Sequence, residues 1–261
     1  MPRFARLPAT LVGLLVAVGC VGPAPASPAP TPAPAAHWSY EGEEGPAHWA
    51  ELSPDYAACA AGREQSPIDI NEPVARDLPP IAFDYRPAPL EIVNNGHTIQ
   101  VGYAPGSSIE LEGTRYELLQ FHFHLPSEHL VGGAAAAGEL HLVHSSESAA
   151  LAVVGVLLVE GEHNPALEPV ISNLPLQPGP AETVAGVEVD AVELLPREQA
   201  TYRYAGSLTT PPCSEGVQWL LMAEPVEASP EQLDALAELL EGNARPVQPL
   251  HEREVEQDTT P

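Results

Sequence analysis

Five consecutive residues, Gln120-Phe121-His122-Phe123-His124, alternate polar and aromatic side chains without a break. Strand side chains point to opposite faces in turn, so this run reads as a strand with Gln120, His122 and His124 on one face. Phe121, Phe123 and Leu125 take the other face and anchor it in a core. Similar apolar or alternating runs occupy Leu90–Val93, Thr98–Val101, Ile109–Leu111, Leu118–Leu125, Glu139–Val143 and Leu151–Leu158. Asn-Gly, Pro-Gly and Gly-Gly steps separate them, which argues for antiparallel strands. One helix stands out near the C-terminus. Ser229 caps it, Pro230 fits its first position, Leu233, Leu236, Ala237 and Leu240 form its apolar stripe, and Gly242 ends it. The expected fold is β-dominated α+β: a single domain with a large, mostly antiparallel twisted central sheet and peripheral short helices.

The first residues read as an address. Arg3 and Arg6 precede an apolar stretch, Leu7–Val18, too short to span a bilayer. Ala17-Val18-Gly19-Cys20 then resembles the lipobox of bacterial lipoproteins, so residues 1–19 are the expected signal peptide and Cys20 the expected lipidation site. An ordinary secretory signal cut near Ala24 or Ala26 is the alternative. Residues 20–36 carry the lipid-attachment cysteine and a Pro/Ala-rich tether. One domain follows over residues 37–255, with a polar tail at 256–261. The expected location is the periplasm or cell surface, with membrane contact only through the lipid.

Of 46 charged residues, 36 are acidic, and all ten basic ones are arginine, giving a net charge of −26. Cleavage after residue 19 removes Arg3 and Arg6 and makes it −28. Such a surface disfavours nucleic acid and anionic headgroups as partners, since both need a cationic patch. Salt adaptation and a GC-rich genome explain the composition equally well. Beyond Cys20, Cys59 and Cys213 remain; in an exported chain an even pair favours a disulfide over two unpaired core thiols.

Chemistry concentrates on the alternating strand. His122 and His124 lie ~7 Å apart along one face. Glu139-Leu140-His141-Leu142-Val143-His144 supplies a third imidazole, with His141 on the face of Glu139 and His144 on the other. An adjacent antiparallel strand would bring His141 beside the first pair. Three neutral imidazoles suit Zn²⁺ with an open fourth position. Gln120 and Glu139 stand where they could accept the second N–H of His122 and His141.

These residues and their surroundings resemble the α-class carbonic anhydrases of the bacterial exported type. The matching motifs run in family order: His37-Trp38-Ser39-Tyr40, Gly45–Trp49, Gln65–Ile70, Asn94–His97, Gln120–His124, Ser127–His129, Glu139–His144, Ser207–Pro212 and Arg245–Leu250. The resemblance implies zinc-dependent reversible hydration of CO2 to bicarbonate and a proton, by zinc-hydroxide attack with a histidine proton shuttle. It implies zinc on His122, His124 and His141. Thr209 would donate to Glu128 and accept from the nucleophile, and His97 would shuttle the proton. Tyr40, Asn95 and Gln100 would line the connecting water.

Val143, Val153, Leu208, Thr210 and Trp219 match the substrate pocket, and Cys59–Cys213 matches the disulfide of exported members. His129, His144 and Tyr204 match structural positions. Cis peptides are expected at Ser66-Pro67 and Pro211-Pro212. The chain departs from the family in the alanine-rich hairpin Ala134–Ala137, whose ordinary length should preserve the register of His141, and at Ser145 and His251. The expected partner is the small-molecule substrate, and the expected state a monomer or homodimer. The competing readings are a catalytically silent carbonic-anhydrase-like binding protein of the cell envelope and a different zinc hydrolase.

Overall fold

The computed structural model describes Met1 and residues 36–240 and 242–260. Cys20, nearly all of the expected signal segment and the tether before Ala36 lie outside the described residues. Each alternating run becomes a strand: β1 (Ala88–Asn94), β2 (Ile99–Gly102), β3 (Ser108–Leu111), β4 (Thr114–His124), β5 (Gly138–Ser146) and β6 (Leu151–Glu160). Two more, β7 (Thr201–Ser207) and β8 (Glu215–Met222), follow a long crossing segment. A 13-stranded sheet contains them all, with the central order β1-β2-β4-β5-β6-β8-β7.

Most neighbours are antiparallel, but the sheet is mixed. β6 and β8 run parallel, with Ala152 opposite Gln218 and Gly155 opposite Leu221. Parallel neighbours need a crossover of a dozen or more residues. Here the crossover also lays down β7 before the chain returns, which local turn signals do not reveal. The polar stretch 256–261, read from sequence as a tail, supplies the strand Glu256–Asp258 between β7 and Val74–Arg76. The sheet therefore continues past Val255.

Strict alternation would put Leu118 on the face of Gln120 and His122. The structure places it in the core instead, 1% exposed, beside Phe121 and Phe123. A bulge makes this possible. On β5, Val143 pairs with Gln120 and His144 with Leu118, so Leu119 has no opposite number and turns outward. One extra residue re-phases a strand. Tyr116, Leu118, Phe121 and Phe123 thus share one apolar face while the polar side of the strand stays uninterrupted. Phe121 and Phe123 are completely buried, edge to face with ring centres 6.0 Å apart. Burial of each contributes about 2–3 kcal/mol.

On the opposite side of the sheet a smaller apolar cluster gathers Ile68, Val153, Leu157, Trp219, Leu221 and Val255. The C-terminal helix spans Pro230–Leu240 and buries Leu233, Leu236 and Leu240. Its start is a capping box. The Gln232 N–H donates to Ser229 Oγ, and the Ser229 N–H donates to Gln232 Oε1. Gly242, at φ +81°, turns the chain away. Cis bonds occur at Ser66-Pro67 and Pro211-Pro212, as the resemblance implies, and also at Leu125-Pro126.

The N-terminal segment packs Trp38, Tyr40, Trp49 and Tyr56 around Cys59 and Cys213, which form a disulfide across 154 residues. This covalent tie joins the segment to the loop that follows β7. Closing so long a loop restricts the unfolded chain strongly. Replacing both cysteines by serine is expected to lower stability by about 2–4 kcal/mol, seen as a lower denaturant midpoint. An unchanged midpoint would show that the tie contributes nothing.

Candidate metal centre

Pairing of β4 with β5 sets His141 directly opposite His122, and Glu139 opposite His124. The alanine-rich hairpin leaves that register intact. Ring centres then lie 5.1 Å apart for His122–His124, 5.2 Å for His122–His141 and 4.6 Å for His124–His141. One nitrogen from each ring falls within 4.8 Å of the others.

The remaining nitrogens decide which ones converge. His122 Nδ1–H donates to Gln120 Oε1 at 2.8 Å. His124 Nδ1–H donates to the Asn243 carbonyl at 2.7 Å. His141 Nε2–H donates to Glu139 Oε1 at 2.8 Å. That leaves Nε2, Nε2 and Nδ1, each with a free lone pair. His124 Nε2 is buried without a hydrogen-bond partner among the described residues. Buried polar atoms are seldom left so, and an orphaned imidazole lone pair facing two others is what a cation requires. The donor set therefore fits Zn²⁺ with a position to spare.

Electrostatics favour the neutral ring at two of the three positions. Burial first, and then the neighbouring imidazoles, push His122 well below the ordinary histidine range. Burial also lowers His124, against the pull of Glu128. Both rings are thus neutral near pH 7, the form that can ligate. His141 differs: burial lowers it, but contact with Glu139 outweighs that and raises it. Burial raises the Glu139 carboxyl, while His129 and His141 more than reverse this and hold it ionised.

Glu139 is the hub. Its Oε1 accepts from His129 Nδ1 at 2.6 Å as well as from His141, and its Oε2 accepts the backbone N–H of Glu128 and of His129. His129 Nε2 then accepts from Tyr204 Oη at 2.6 Å, Tyr204 accepts from Ser66 Oγ, and Ser66 Oγ accepts the Ser207 N–H. Every donor in this chain points toward Glu139, which fixes both tautomers. His129, Glu139 and His141 also lie close enough to hold a metal. Their facing atoms are already spent on one another, so the first trio is the better site.

Room for the hub comes from Gly155, opposite His141 on β6. A Cβ there would stand 2.7 Å from Leu221 Cδ1 and 3.2 Å from Glu139 Oε1. Trp219 packs edge-on against both His141 and His129, at 4.9 and 4.7 Å between ring centres.

The other expected residues gather nearby. Val143, Val153, Leu208 and Trp219 meet in the smaller apolar cluster, and half-buried Thr210 follows on the same loop. Glu128 is buried, with Oε1 held by the Arg245 backbone N–H at 2.8 Å. Its Oε2 has no partner among the described residues, Thr209 included. Tyr40 is raised well above the ordinary phenol by burial and then by Glu128, so it stays protonated. Asn95 is exposed, and its Oδ1 accepts the N–H of His97 and Thr98, holding the turn that presents His97. His97 is half-buried and lies flat on Trp38, with centroids 3.8 Å apart and planes 9° from parallel. Gln100 stands opposite His122. His144 is structural: buried, lowered to about 4, and bonded to Tyr85.

Asn243 went unread in the sequence. Besides its carbonyl bond to His124, its side chain accepts the Leu125 N–H and donates to the Phe123 and His97 carbonyls. Backbone acceptors carry no residue signature. Only the position of this Asn just after Gly242 could have pointed to it.

Residues 44–259 match the family described as eukaryotic-type carbonic anhydrase. A carbonic anhydrase of Nostoc sp. is 46% identical over 222 residues, covering 83% of this chain and 84% of the relative. The structure of an α-carbonic anhydrase from Thermovibrio ammonificans, complexed with the inhibitor sulfanilamide, superposes with a TM-score of 0.83 at 45% identity. It covers 85% of this chain and 100% of that one. A dioscorin complexed with ascorbate shares the fold at 31% identity and a TM-score of 0.80, covering 86% of this chain and 99% of that one. The likeness thus extends from the family pattern through the sequence to the three-dimensional fold, and on these grounds the chain belongs to the eukaryotic-type carbonic anhydrase family.

Proposed function

We propose that this carbonic anhydrase hydrates CO2 at a zinc ion held by His122 Nε2, His124 Nε2 and His141 Nδ1. The observation that carries this is the convergence of three nitrogens, the other nitrogen of each ring already having an acceptor, and one of the three is buried with no partner among the described residues. Zinc would supply a Lewis acid that makes water nucleophilic near neutral pH, an effect for which carbonic anhydrase is the reference case. The alternative of a silent binding protein is the weaker reading. Here the imidazoles, their acceptors and Glu128 are all in place.

The chain's own residues divide the remaining tasks. Gln120, Asn243 and Glu139 hold the three rings in their ligating tautomers. Glu128, fixed by Arg245, keeps one oxygen for the Thr209 hydroxyl. A hydroxyl that donates there can only accept on its other side, so Thr209 selects and orients a donor. Val143, Val153, Leu208, Thr210 and Trp219 form the wall against which an apolar, quadrupolar gas can lie. His97 takes the released proton. Burial and then His37 lower it, which favours prompt release to buffer. Tyr40 and Asn95 support the water path to it.

The disulfide fits an oxidising, exported compartment. Removal of residues 1–19 and lipidation of Cys20 would anchor the domain of residues 37–255, with its C-terminal strand, at the periplasmic face or cell surface. The chain acts there as a monomer or homodimer, touching membrane only through the lipid.

His122→Ala is expected to abolish both zinc retention, read by metal analysis, and CO2 hydration. A variant that keeps zinc and full activity would refute the ligand set. His97→Ala should slow turnover roughly tenfold in dilute buffer and recover when imidazole is added; a buffer-independent rate would remove His97 from the proton path. A sulfonamide should inhibit, whereas the same scaffold without its zinc-binding group should not.

A further inference from the structure

The N-terminal segment brings a second imidazole to the proton exit. His37 lies beyond Trp38, with its ring centre 6.4 Å from that of His97. Its side chain is 74% exposed, while His97 is half-buried. His37 Nδ1 lies 3.1 Å from Glu44 Oε2. That contact depends on a local fold-back: the Ser39 N–H donates to the Glu44 carbonyl, and Gly42 takes φ +62° at the turn. A carboxylate cannot donate, so Nδ1–H is the donor and Nε2 keeps its lone pair. Among the described residues, His97 and Glu44 are the titratable groups that face His37.

From this juxtaposition we infer that His37, oriented by Glu44, is the outer acceptor of the proton path, taking the proton from His97 and passing it to solvent. The step balances without any further reagent. The His97 imidazolium loses one N–H proton through intervening water, the neutral His37 Nε2 gains it, and a buffer base then removes it. Trp38 holds the inner ring flat against its face, and the exposed outer ring meets the buffer. Glu44 is a positioning residue: it sets the tautomer of His37 and does not itself carry the proton. The inference rests on the zinc-site reading above, and its test separates the two.

The variant is His37→Gln, exposed and able to keep a hydrogen bond to Glu44 but unable to titrate. Turnover at saturating CO2 should fall about threefold in dilute buffer, with kcat/KM unchanged and full recovery in imidazole. Combined with His97→Ala it should cost nothing beyond His97→Ala alone, because the two groups act in series. A readout independent of activity is the NMR titration of the His97 ring. Since His37 lowers His97, its removal should raise the His97 midpoint. Wild-type turnover by His37→Gln in dilute buffer, additive losses in the double variant, or an unmoved His97 midpoint would each overturn the relay. An inactive zinc-loaded wild type would instead sink the zinc-site reading.

Discussion

Glu139 holds a full negative charge out of water while accepting four hydrogen bonds, and the orientation of two imidazoles follows from that balance. An unpaired buried carboxylate would cost several kcal/mol. Here two ring N–H groups and two backbone N–H groups meet its oxygens, so its charge is compensated and cannot drift. Because the carboxylate only accepts, His141 must present Nε2–H to it and turn Nδ1 toward His122 and His124. The direction in which His141 presents its free nitrogen is therefore dictated from behind the ring.

That hub is held by residues far apart in the chain. β4 and β5 carry the imidazoles, Gly155 on β6 leaves the space, and Trp219 on β8 closes it. Tyr204 and Ser66 extend the bonding to β7 and to the N-terminal side of the sheet. The disulfide then fastens the loop bearing Thr209 and Thr210 to the aromatic segment beside His97. The histidine strands, the loop of Thr209 and Thr210 and the segment beside His97 thus belong to one bonded framework. Sites of this kind work because supporting contacts hold their groups within narrow limits.

Much of this was legible in the residues. The alternation from Gln120 to His124 reports both the face that binds and the face that packs, since a strand repeats every two residues. Gln120 and Glu139 announce themselves by sitting two residues from the histidines they steady. What escaped reading has a common cause. The bulge at Leu119 shows only once Leu118 is known to be in the core. The parallel pairing of β6 with β8 depends on a crossover, not on local pattern. The Asn243 carbonyl and the Arg245 N–H act through the backbone, which every residue shares. The strand at Glu256–Asp258 is polar because its neighbours, not its own side chains, place it in the sheet.

The most direct test of the account is stopped-flow CO2 hydration on the purified protein as zinc is withdrawn and returned stepwise, with bound metal measured on each sample. Activity should vanish with the metal and rise in proportion to zinc up to about one ion per chain. A folded protein that carries its zinc and yet leaves CO2 hydration at the uncatalysed rate would contradict the account.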